Sequence, residues 1–196
     1  MAGPVTEILS TQALHAPALD DAGIVARIRG GDEAAFERLY LQYHAPLWRF
    51  AYTLVRSGAV AEDLVHDVFL ALWRDHPRWH VTTSARLWLY GAVRNGALNH
   101  LRHERVVSSV ADDVPIAMGA PPPDAHAAVV AHELDERVDR ALAGVSERRR
   151  IAMTLRWRHD FTPAEIASVL DTTPEAVRVL LARARQDLAA LVRDDG

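Results

Sequence analysis

Residues 162–186 read TPAEIASVLDTTPEAVRVLLARARQ and contain two helix starts, each marked by a Thr-Pro pair. Thr162 can cap the first helix, and Glu165 stands three residues later, where it completes a capping box. Thr173 repeats this arrangement for the second helix. Asp171 falls in the turn between them, where a positive φ is expected and Asp is tolerated. The spacing predicts a helix-turn-helix.

The second helix of this motif has one apolar side and one polar side. Val177, Leu181 and Ala184 share an apolar arc, whereas Arg178 and Arg183 lie outside it. A helix with outward arginines suits the major groove of DNA, where Arg binds guanine edges or phosphates. A solvated helical hairpin within an α-helical bundle is the alternative interpretation of this stretch.

Composition narrows the class of protein. The chain has 196 residues, 49% of them hydrophobic, and no cysteine, which excludes disulfides and thiolate metal sites. No apolar run reaches membrane-spanning length, and no basic residue precedes the first apolar letters, so we expect a cytoplasmic protein without a signal peptide. The net charge is −4, but residues 84–106 carry four arginines against one acid. Such local clusters, rather than the total charge, govern phosphate binding.

The first half of the chain predicts helices after a short tail. Residues 1–23 lack periodicity, and a helical domain is expected from residue 24 to residue 106. Asp32 can cap a long helix. Pro46 is expected to break or kink that helix, and Gly58 is expected to end the second part.

The segment 61–75 forms a helix with an unusually wide apolar arc. Glu62, Asp63, His66 and Asp67 occupy its other side. The arc indicates either full burial or a protein partner. The spacing Asp63-x-x-His66 occurs in di-iron bundles, but the second copy that such a site needs is missing. The pair His100-x-x-His103 has no nearby carboxylate except Glu104. No phosphate loop or nucleophile elbow occurs, so we expect no metal, no cofactor and no enzyme.

The next helix begins after Ser84, which can cap it, and is expected to run to about His103. Trp88, Asn95 and Asn99 lie opposite its apolar face, together with Arg102. An indole beside amides and a guanidinium is typical of a platform that stacks unpaired bases while Arg binds phosphate. A tryptophan packed under a neighbouring loop explains the pattern equally well.

An acidic, Pro-rich segment follows at residues 107–131 and predicts a linker between two domains. The second domain is expected at residues 132–194, with one helix from His132 and another capped by Ser146. Ile151, Leu155 and Trp157 recur at helical spacing in the second of these helices. The sequence therefore predicts an all-α protein of two small helical domains joined by a linker, with the helix-turn-helix in the second domain.

Three segments in this order resemble a known family. AFERLYLQYHAPLWRFAYTLV with VAEDLVHDVFLALWRD, SARLWLYGAVRNGALNHLR, and ALAGVSERRRIAMTLRWRHDFTPAEIASVLDTTPEAVRVLLARAR are similar to parts of bacterial RNA polymerase sigma factors of the extracytoplasmic-function (ECF) type. They resemble the polymerase-binding part of region two, its promoter-melting and minus-ten part, and region four. The resemblance implies a factor that binds core polymerase and directs promoter-specific initiation, without chemistry of its own.

The resemblance also implies partners and sites. The partners are core polymerase, through the clamp helices and flap of its large subunits, promoter DNA and an anti-sigma factor. The implied core-binding residues are Glu62, Asp63, Val65, His66, Asp67, Phe69, Leu72 and Trp73. The implied minus-ten residues are Arg78, Trp79, His80, Thr82, Thr83, Ser84, Arg86, Trp88, Arg94, Asn95, Asn99, Arg102 and Arg105. The implied minus-thirty-five residues are Thr162, Thr173, Glu175, Ala176, Arg178, Val179 and Arg183.

Several positions depart from the family pattern. Val179 stands where a small hydroxyl residue is usual, and Leu180 stands where a basic residue is usual. Asp171 and Glu175 replace glycines. Because two donors to DNA are missing, we expect weaker or altered recognition of the minus-thirty-five element. Gly96 is unusual within the promoter-binding helix and is expected to loosen it.

Two other functions stay open at this point. A two-domain regulator that binds duplex DNA without polymerase explains the helix-turn-helix but leaves Trp88 and the 61–75 helix unexplained. A partner-binding helical protein that has lost its DNA role gains some support from Val179 and Leu180, and it predicts no salt-dependent DNA affinity.

Overall fold

The computed structural model describes residues 21–81, 84–108 and 146–194, with the side chains of 23–81, 84–104 and 146–186. Every regular element in those ranges is a helix, which confirms the all-α prediction. The elements are α1 (Asp21–Arg29), α2 (Glu33–Val55), α3 (Gly58–Arg74), a short 3₁₀ helix (His76–Arg78), α4 (Ala85–Ser108), α5 (Glu147–Trp157), α6 (Pro163–Leu170) and α7 (Pro174–Asp194).

The predicted tail and linker fall largely outside these ranges. Residues 1–20 are not described, and α1 begins at Asp21, three residues earlier than expected. The linker from residue 109 onward and the helix predicted from His132 also lie outside the described residues. Helix α4 extends to Ser108, five residues beyond the predicted end.

Helix α2 is longer than the sequence predicted. Asp32 caps it as expected, because the Asp32 side chain accepts a hydrogen bond of 3.0 Å from the backbone N–H of Ala35. Pro46 was predicted to break or kink the chain, and no break occurs there, because one helix runs from Glu33 to Val55. Proline removes only one helical hydrogen bond, and the buried side chains of Leu47 and Phe50 continue the apolar face beyond it.

The turn between α2 and α3 does not use Gly58 as a terminator, which corrects the prediction. Arg56 ends α2 in a left-handed conformation with φ of 57°. Ser57 then caps α3 by accepting from the N–H of Val60 at 3.4 Å, and Gly58 is the first residue of that helix. The left-handed residue that ends α2 is therefore Arg56, two residues before the glycine that the sequence analysis selected.

The start of α5 agrees with the prediction in position but not in chemistry. Ser146 is the residue before the helix, yet its hydroxyl accepts from the Arg149 guanidinium at 3.0 Å instead of capping the backbone. Of the three apolar residues at helical spacing, Ile151 and Leu155 are buried, and Trp157 is 44% exposed at the end of the helix.

One contiguous cluster of buried apolar side chains runs through both halves of the chain. Helix α2 packs on α3 and α4, and α7 packs on α5 and α6. The halves also touch, since α4 packs against α6 and α2 against α5. Phe161, fully buried between α5 and α6, contacts the ring of Tyr90 on α4 with centroids 4.8 Å apart. The described parts of both domains therefore share one core.

Candidate nucleic-acid interface

The helix-turn-helix has the local geometry that its sequence predicted. Thr162 and Glu165 form a capping box: the Thr162 N–H donates to the Glu165 carboxylate at 2.7 Å, and the Glu165 N–H donates to the Thr162 hydroxyl at 3.3 Å. Asp171 has a φ of 51° in the turn. The N–H of Ala176 donates to the Thr173 hydroxyl at 3.2 Å. Local hydrogen bonds thus define the starts of α6 and α7, and the left-handed residue lies in the turn between them.

Helix α7 presents a continuous exposed stripe on the side away from the core. Arg178 is exposed, and it donates to the Glu175 carboxylate at 3.0 Å. Val179 is 50% exposed, which is unusual for a branched apolar side chain. The exposed positions are Thr173, Glu175, Arg178, Val179, Ala182, Arg183, Arg185 and Gln186. Acceptors, guanidinium groups and a methyl-bearing side chain on one helical face can contact base edges and phosphates together.

Trp88 lies at the start of α4 beside a second indole. It is half-buried, and its ring meets that of Trp79 edge-to-face at 5.5 Å. Trp79 is only 5% exposed, so it packs against Trp88 and offers no exposed ring face on which a base could stack. A cavity of about 340 Å³ opens beside Trp88 and is lined by His80, Val81, Leu87, Gly91, Ala92, Asn95 and Ser168. Trp88 therefore packs on a loop residue, as one interpretation expected, and it also borders open space; base stacking on its ring stays a prediction.

The polar residues of the predicted minus-ten set differ in how exposed they are. Arg78, His80, Asn95, Asn99 and Arg102 are exposed, and Ser84 caps α4 by accepting from the N–H of Leu87 at 3.1 Å. The Arg102 guanidinium donates to the Asn99 amide oxygen at 2.7 Å. Thr82, Thr83 and the side chain of Arg105 lie outside the described part of the chain.

Two arginines of this predicted set face the second domain instead of solvent. Arg86 donates to the carbonyl oxygen of His159, and its guanidinium carbon lies 3.9 Å above the Phe161 ring. Arg94 donates to the carbonyl oxygen of Val169 at 3.4 Å. Partial burial, followed by the nearby Arg148, lowers the pKa of Arg94. Sequence reasoning missed these contacts, which join residues 73 and 75 positions apart.

His159 is the central polar residue of the contact between the two domains. Its Nδ1 lies 2.9 Å from the Tyr90 hydroxyl, and its ring meets those of Phe50 and Tyr90 at 6.0 and 5.0 Å. Burial, followed by the positive charge of Arg86, lowers the pKa of His159 to about 4. Burial likewise raises the pKa of Tyr90. Both groups are therefore neutral at pH 7. The sequence offered no signal for this role, since His159 stands alone in the linear pattern.

The acidic side of α3 forms a second exposed surface. Glu62, Asp63, His66 and Asp67 are exposed, and the Glu62 carboxylate lies 2.8 Å from Nε2 of His44. Leu70 adds an apolar side chain that is 53% exposed, a residue that the sequence analysis did not select.

Other residues of the predicted core-binding set face inward. Val65, Phe69 and Leu72 are at most 2% exposed, so they stabilise the domain and are not available to a partner in this conformation. Trp73 is half-buried and packs on Phe36, with ring centroids 4.8 Å apart. The wide apolar arc of α3 is therefore explained largely by burial.

Among the described residues, no group of three or more His, Cys, Asp or Glu side chains is arranged to hold a metal ion. None of the helices in the described ranges is both long enough and apolar enough to cross a membrane.

Comparison with known proteins places the chain in a family. Models of sigma-70 region 2 and sigma-70 region 4 match residues 39–106 and 135–188. The RNA polymerase sigma factor CarQ of Myxococcus xanthus is 30% identical over 85% of this chain and 94% of its own length. The chain belongs to the ECF-type RNA polymerase sigma factors.

Other ECF sigma factors are similar over nearly the whole chain. The sigma-E factor of Escherichia coli is 28% identical over 86% of this chain and 92% of its own length. The solved structure of CnrH in complex with the cytosolic domain of CnrY superposes with a TM-score of 0.68, at 22% identity over 90% of this chain and 99% of that one. The sigma factor RpoE of Bartonella quintana, bound to the anti-sigma factor NepR, gives 0.67 at 23% identity over 82% and 98%. These two structures share the fold of this sigma factor.

Proposed function

We propose that this sigma factor binds core RNA polymerase through its first domain, residues 24–106, and selects promoters through both domains. The observation that carries the proposal is that one chain has three separate features: two exposed polar surfaces and one pocket with an aromatic wall. The acidic edge of α3 is exposed, Trp88 borders a cavity of about 340 Å³, and the outer face of α7 is exposed on a helix-turn-helix. Each surface suits one of the three contacts that initiation requires.

The acidic edge of α3 is the proposed docking site for the clamp helices of the polymerase large subunit. Glu62, Asp63 and Asp67 offer negative charge to basic groups, and Leu70 offers an apolar contact at the same edge. Charged groups at such an interface steer association and fix its register. His66 is exposed between them and belongs to the same face, whereas the inward side chains of α3 support it.

The pocket beside Trp88 is the proposed site for a base of the minus-ten strand. Extruding a base costs a few kcal/mol, and a pocket with an aromatic wall can offset that cost. Asn95 lines the same cavity and offers hydrogen bonds to a base edge. The exposed Asn99 and Arg102 continue along α4 and suit the sugar-phosphate backbone.

The exposed face of α7 is the proposed contact with the minus-thirty-five element, within a second domain of residues 132–194. Arg178 and Arg183 supply guanidinium groups for guanine or phosphate. The residues of the two caps, Thr162 and Thr173, lie at helix N-termini, where phosphates bind favourably. Ala176 is half-buried and would act by allowing close approach.

An anti-sigma factor is the further partner proposed. The related structures of CnrH and RpoE were solved with the cytosolic domain of CnrY and with the anti-sigma factor NepR. We extend that kind of partner to this chain, which would act with polymerase in the cytoplasm.

Run-off transcription tests the proposal. Purified bacterial core polymerase is given this protein and the DNA upstream of its own gene, with core polymerase alone as the control. A discrete transcript that requires the protein is the expected result. If no transcript forms, co-elution with core polymerase decides: co-elution keeps the docking proposal and indicates the wrong promoter, and its absence favours a regulator that binds DNA without polymerase.

A further inference from the structure

A second cavity, of about 310 Å³, lies where α4 meets α5 and the turn of the helix-turn-helix. It shares no residue with the pocket beside Trp88. Small-molecule sites in proteins begin at roughly this volume, so the cavity suits a ligand of about the size of a mononucleotide. The lining residues are Arg94, Leu98, Glu147, Arg148, Ile151, Leu170 and Asp171.

Arg94 brings an incompletely bonded guanidinium group to this cavity. Its Nη1 donates to the Asn95 amide oxygen at 3.3 Å and to the Val169 carbonyl oxygen at 3.4 Å, both long hydrogen bonds. Its Nε is buried and has no hydrogen-bond partner among the described residues. Arg148 lines the same cavity, and its positive charge is the largest cause after burial that lowers the pKa of Arg94. Two guanidinium groups beside one cavity, one of them with an unused N–H, suit a phosphate group.

Carboxylates in the same lining restrict which anion fits. Glu147 and Asp171 line the cavity, and their charges act on the pKa of Arg94 in the direction opposite to that of Arg148. Inorganic phosphate would gain the two arginines but would be repelled by the two carboxylates. A matching ligand carries N–H or O–H donors beside its anionic group, because an ionised carboxylate only accepts hydrogen bonds.

Asp171 is the lining residue that narrows the ligand class furthest. It occupies the turn with a φ of 51°, a conformation that glycine adopts without the steric cost of a side chain. Glycine is usual at this turn in the family, so the chain has a carboxylate at the cavity where the backbone favours glycine. Such conformations cluster at ligand sites. The two oxygens of a carboxylate can accept from two neighbouring N–H groups, which guanine offers at N1 and at its 2-amino group.

Apolar side chains supply the surface that a nucleobase needs. Ile151 and Leu170 are at most 2% exposed, and Leu98 on α4 is half-buried. All three line the cavity. A planar ring that lies against them is removed from water, while a polar edge of the same ring remains free to meet a carboxylate.

We propose that this cavity is a binding site for a guanine nucleotide. The Asp171 carboxylate accepts hydrogen bonds from the base, Glu147 accepts from the ribose hydroxyl groups, and Arg94 and Arg148 bind the phosphates. The site goes beyond the proposed function, because its contacts involve neither polymerase nor promoter DNA. Because it joins α4 to α5 and the turn, the bound nucleotide also stabilises the folded chain.

Calorimetric titration of the full-length chain with guanosine diphosphate (GDP) tests the site, in buffer without divalent cations that could bind the carboxylates. ADP and inorganic phosphate are the comparison ligands. The expected result is saturable binding of GDP at a single site, at least roughly tenfold tighter than either comparison ligand, the effect of losing one hydrogen bond to a charged group. GDP should also raise the Tm more than ADP does at the same concentration.

The variant Asp171→Asn tests the contact with the base. Asparagine tolerates the left-handed turn, but its amide replaces one acceptor with a donor. The variant should bind GDP roughly tenfold more weakly and lose the preference for GDP over ADP. The matched control is Asp160→Asn, which changes a second left-handed aspartate, with a φ of 53°, outside the cavity lining. This control should bind GDP like the natural protein.

The variant Arg148→Gln tests the contact with the phosphates. It neutralises an exposed side chain and should weaken GDP and ADP alike, by roughly tenfold, so that the preference for GDP remains. The matched control is Arg38→Gln, which neutralises an exposed arginine on α2 outside the cavity and should leave binding unchanged. Helical circular dichroism checks that all four variants fold.

Each outcome decides for or against the site. Absence of saturable GDP binding would overturn it, and equal affinities for GDP and ADP would overturn the recognition of guanine. Unchanged binding in both Asp171→Asn and Arg148→Gln would show that any bound nucleotide lies elsewhere. If one of these variants fails to fold, the other carries the test. Run-off transcription enters none of these measurements, so a failure of the proposed function leaves the site intact.

Discussion

The hydroxyl group of Tyr90 lies 2.9 Å from Nδ1 of His159, and this hydrogen bond links the two halves of the molecule. Tyr90 is on α4, the helix that also lines the aromatic pocket, and His159 stands just before the helix-turn-helix. Phe161 packs on the same tyrosine ring from the second domain. A change in the charge of His159 should therefore alter how the domains associate.

Acidification is expected to open the molecule. Burial first, and then Arg86 and Arg158, lower the pKa of His159 from its ordinary value of 6.5 to about 4, while Asp160 opposes this effect. Contact between the two domains thus favours neutral His159. The contribution of neutral His159 to the stability of this contact is fully present above pH 6.5 and is lost as the pH falls towards 4. At about 1.4 kcal/mol per pH unit, the free energy that corresponds to this pKa shift is about 3 kcal/mol.

The pH effect can be assigned from the distance between two labels, attached after Glu37→Cys and Arg185→Cys. This distance is compared at several pH values between 7 and 4, about the range of the two pKa values. Arg49 is a further charged group near the ring. The chain has ten histidines, so the test is specific to the residue: His159→Ala should remove the opening transition and His100→Ala should preserve it. An identical transition in His159→Ala would assign the effect to another group.

Charge reversal on α3 is expected to abolish transcription without unfolding the protein. In the double variant Glu62→Arg and Asp63→Arg, two exposed negative charges become positive at the proposed docking edge. The exposed pair of Glu62 with His44 is worth at most about 1 kcal/mol, so its loss should be tolerated. Transcription with core polymerase should fall at least about tenfold, the effect of about 1.4 kcal/mol of lost binding.

The control for that variant changes charge by the same amount elsewhere. Glu37→Arg with Asp75→Arg reverses two exposed acids outside the proposed docking edge and should transcribe normally. Helical circular dichroism and co-elution with core polymerase should be measured for both proteins. Normal transcription by the α3 variant would show that this edge is not the docking site.

Val179 is expected to contact a thymine methyl group in the minus-thirty-five element. It is 50% exposed on the outer face of α7, beside Arg178, and an apolar side chain there matches the one apolar group in the major groove. Replacing the contacted thymine by uracil removes that methyl and should weaken binding about fourfold, the effect of about 0.8 kcal/mol.

This prediction has an internal control. Val179→Ala should bind the thymine and uracil duplexes alike, whereas Arg183→Ala should keep the distinction while binding both more weakly. Duplexes with uracil at each thymine in turn, titrated by fluorescence anisotropy, provide the measurement. If no position discriminates in the natural protein, Val179 makes no methyl contact.

The two glycines of α4 are expected to respond differently to alanine. A Cβ atom at Gly91 would meet nothing within 4 Å, so Gly91→Ala should raise the free energy of unfolding by roughly 0.5–1 kcal/mol through helix propensity. At Gly96 the added atom would lie 3.1 Å from Cδ2 of Leu64 on α3, so part of that gain should be lost. Urea unfolding of both variants measures the difference, and a larger gain at Gly96 would contradict the close packing of α3 and α4.

Those packing data also revise the expectation for Gly96. The sequence predicted local looseness in the promoter-binding helix, since glycine is a poor helix former. The structure shows a packing reason for glycine at this position, because the absence of a side chain at Gly96 lets α3 and α4 approach closely. Helix propensity is a property of one element, whereas this contact depends on where the next element lies.

The sequence by itself determined the helices and the helix-turn-helix of this sigma factor. Capping by Asp32, Thr162 and Thr173 involves partners three residues away, and the left-handed turn at Asp171 belongs to one residue. Local hydrogen bonds and a period of 3.6 residues can be recognised without knowing the rest of the fold. The departures at Pro46 and Gly58 occurred where tertiary packing outweighed local preference.

Only the tertiary structure decided which faces are free. It buried Val65, Phe69 and Leu72 within the first domain and left the acidic edge of α3 exposed. It also brought the Tyr90 hydroxyl to His159 across 69 residues of chain. Such contacts depend on how helices pack, because an amphipathic pattern shows that a face is covered but does not identify the surface that covers it.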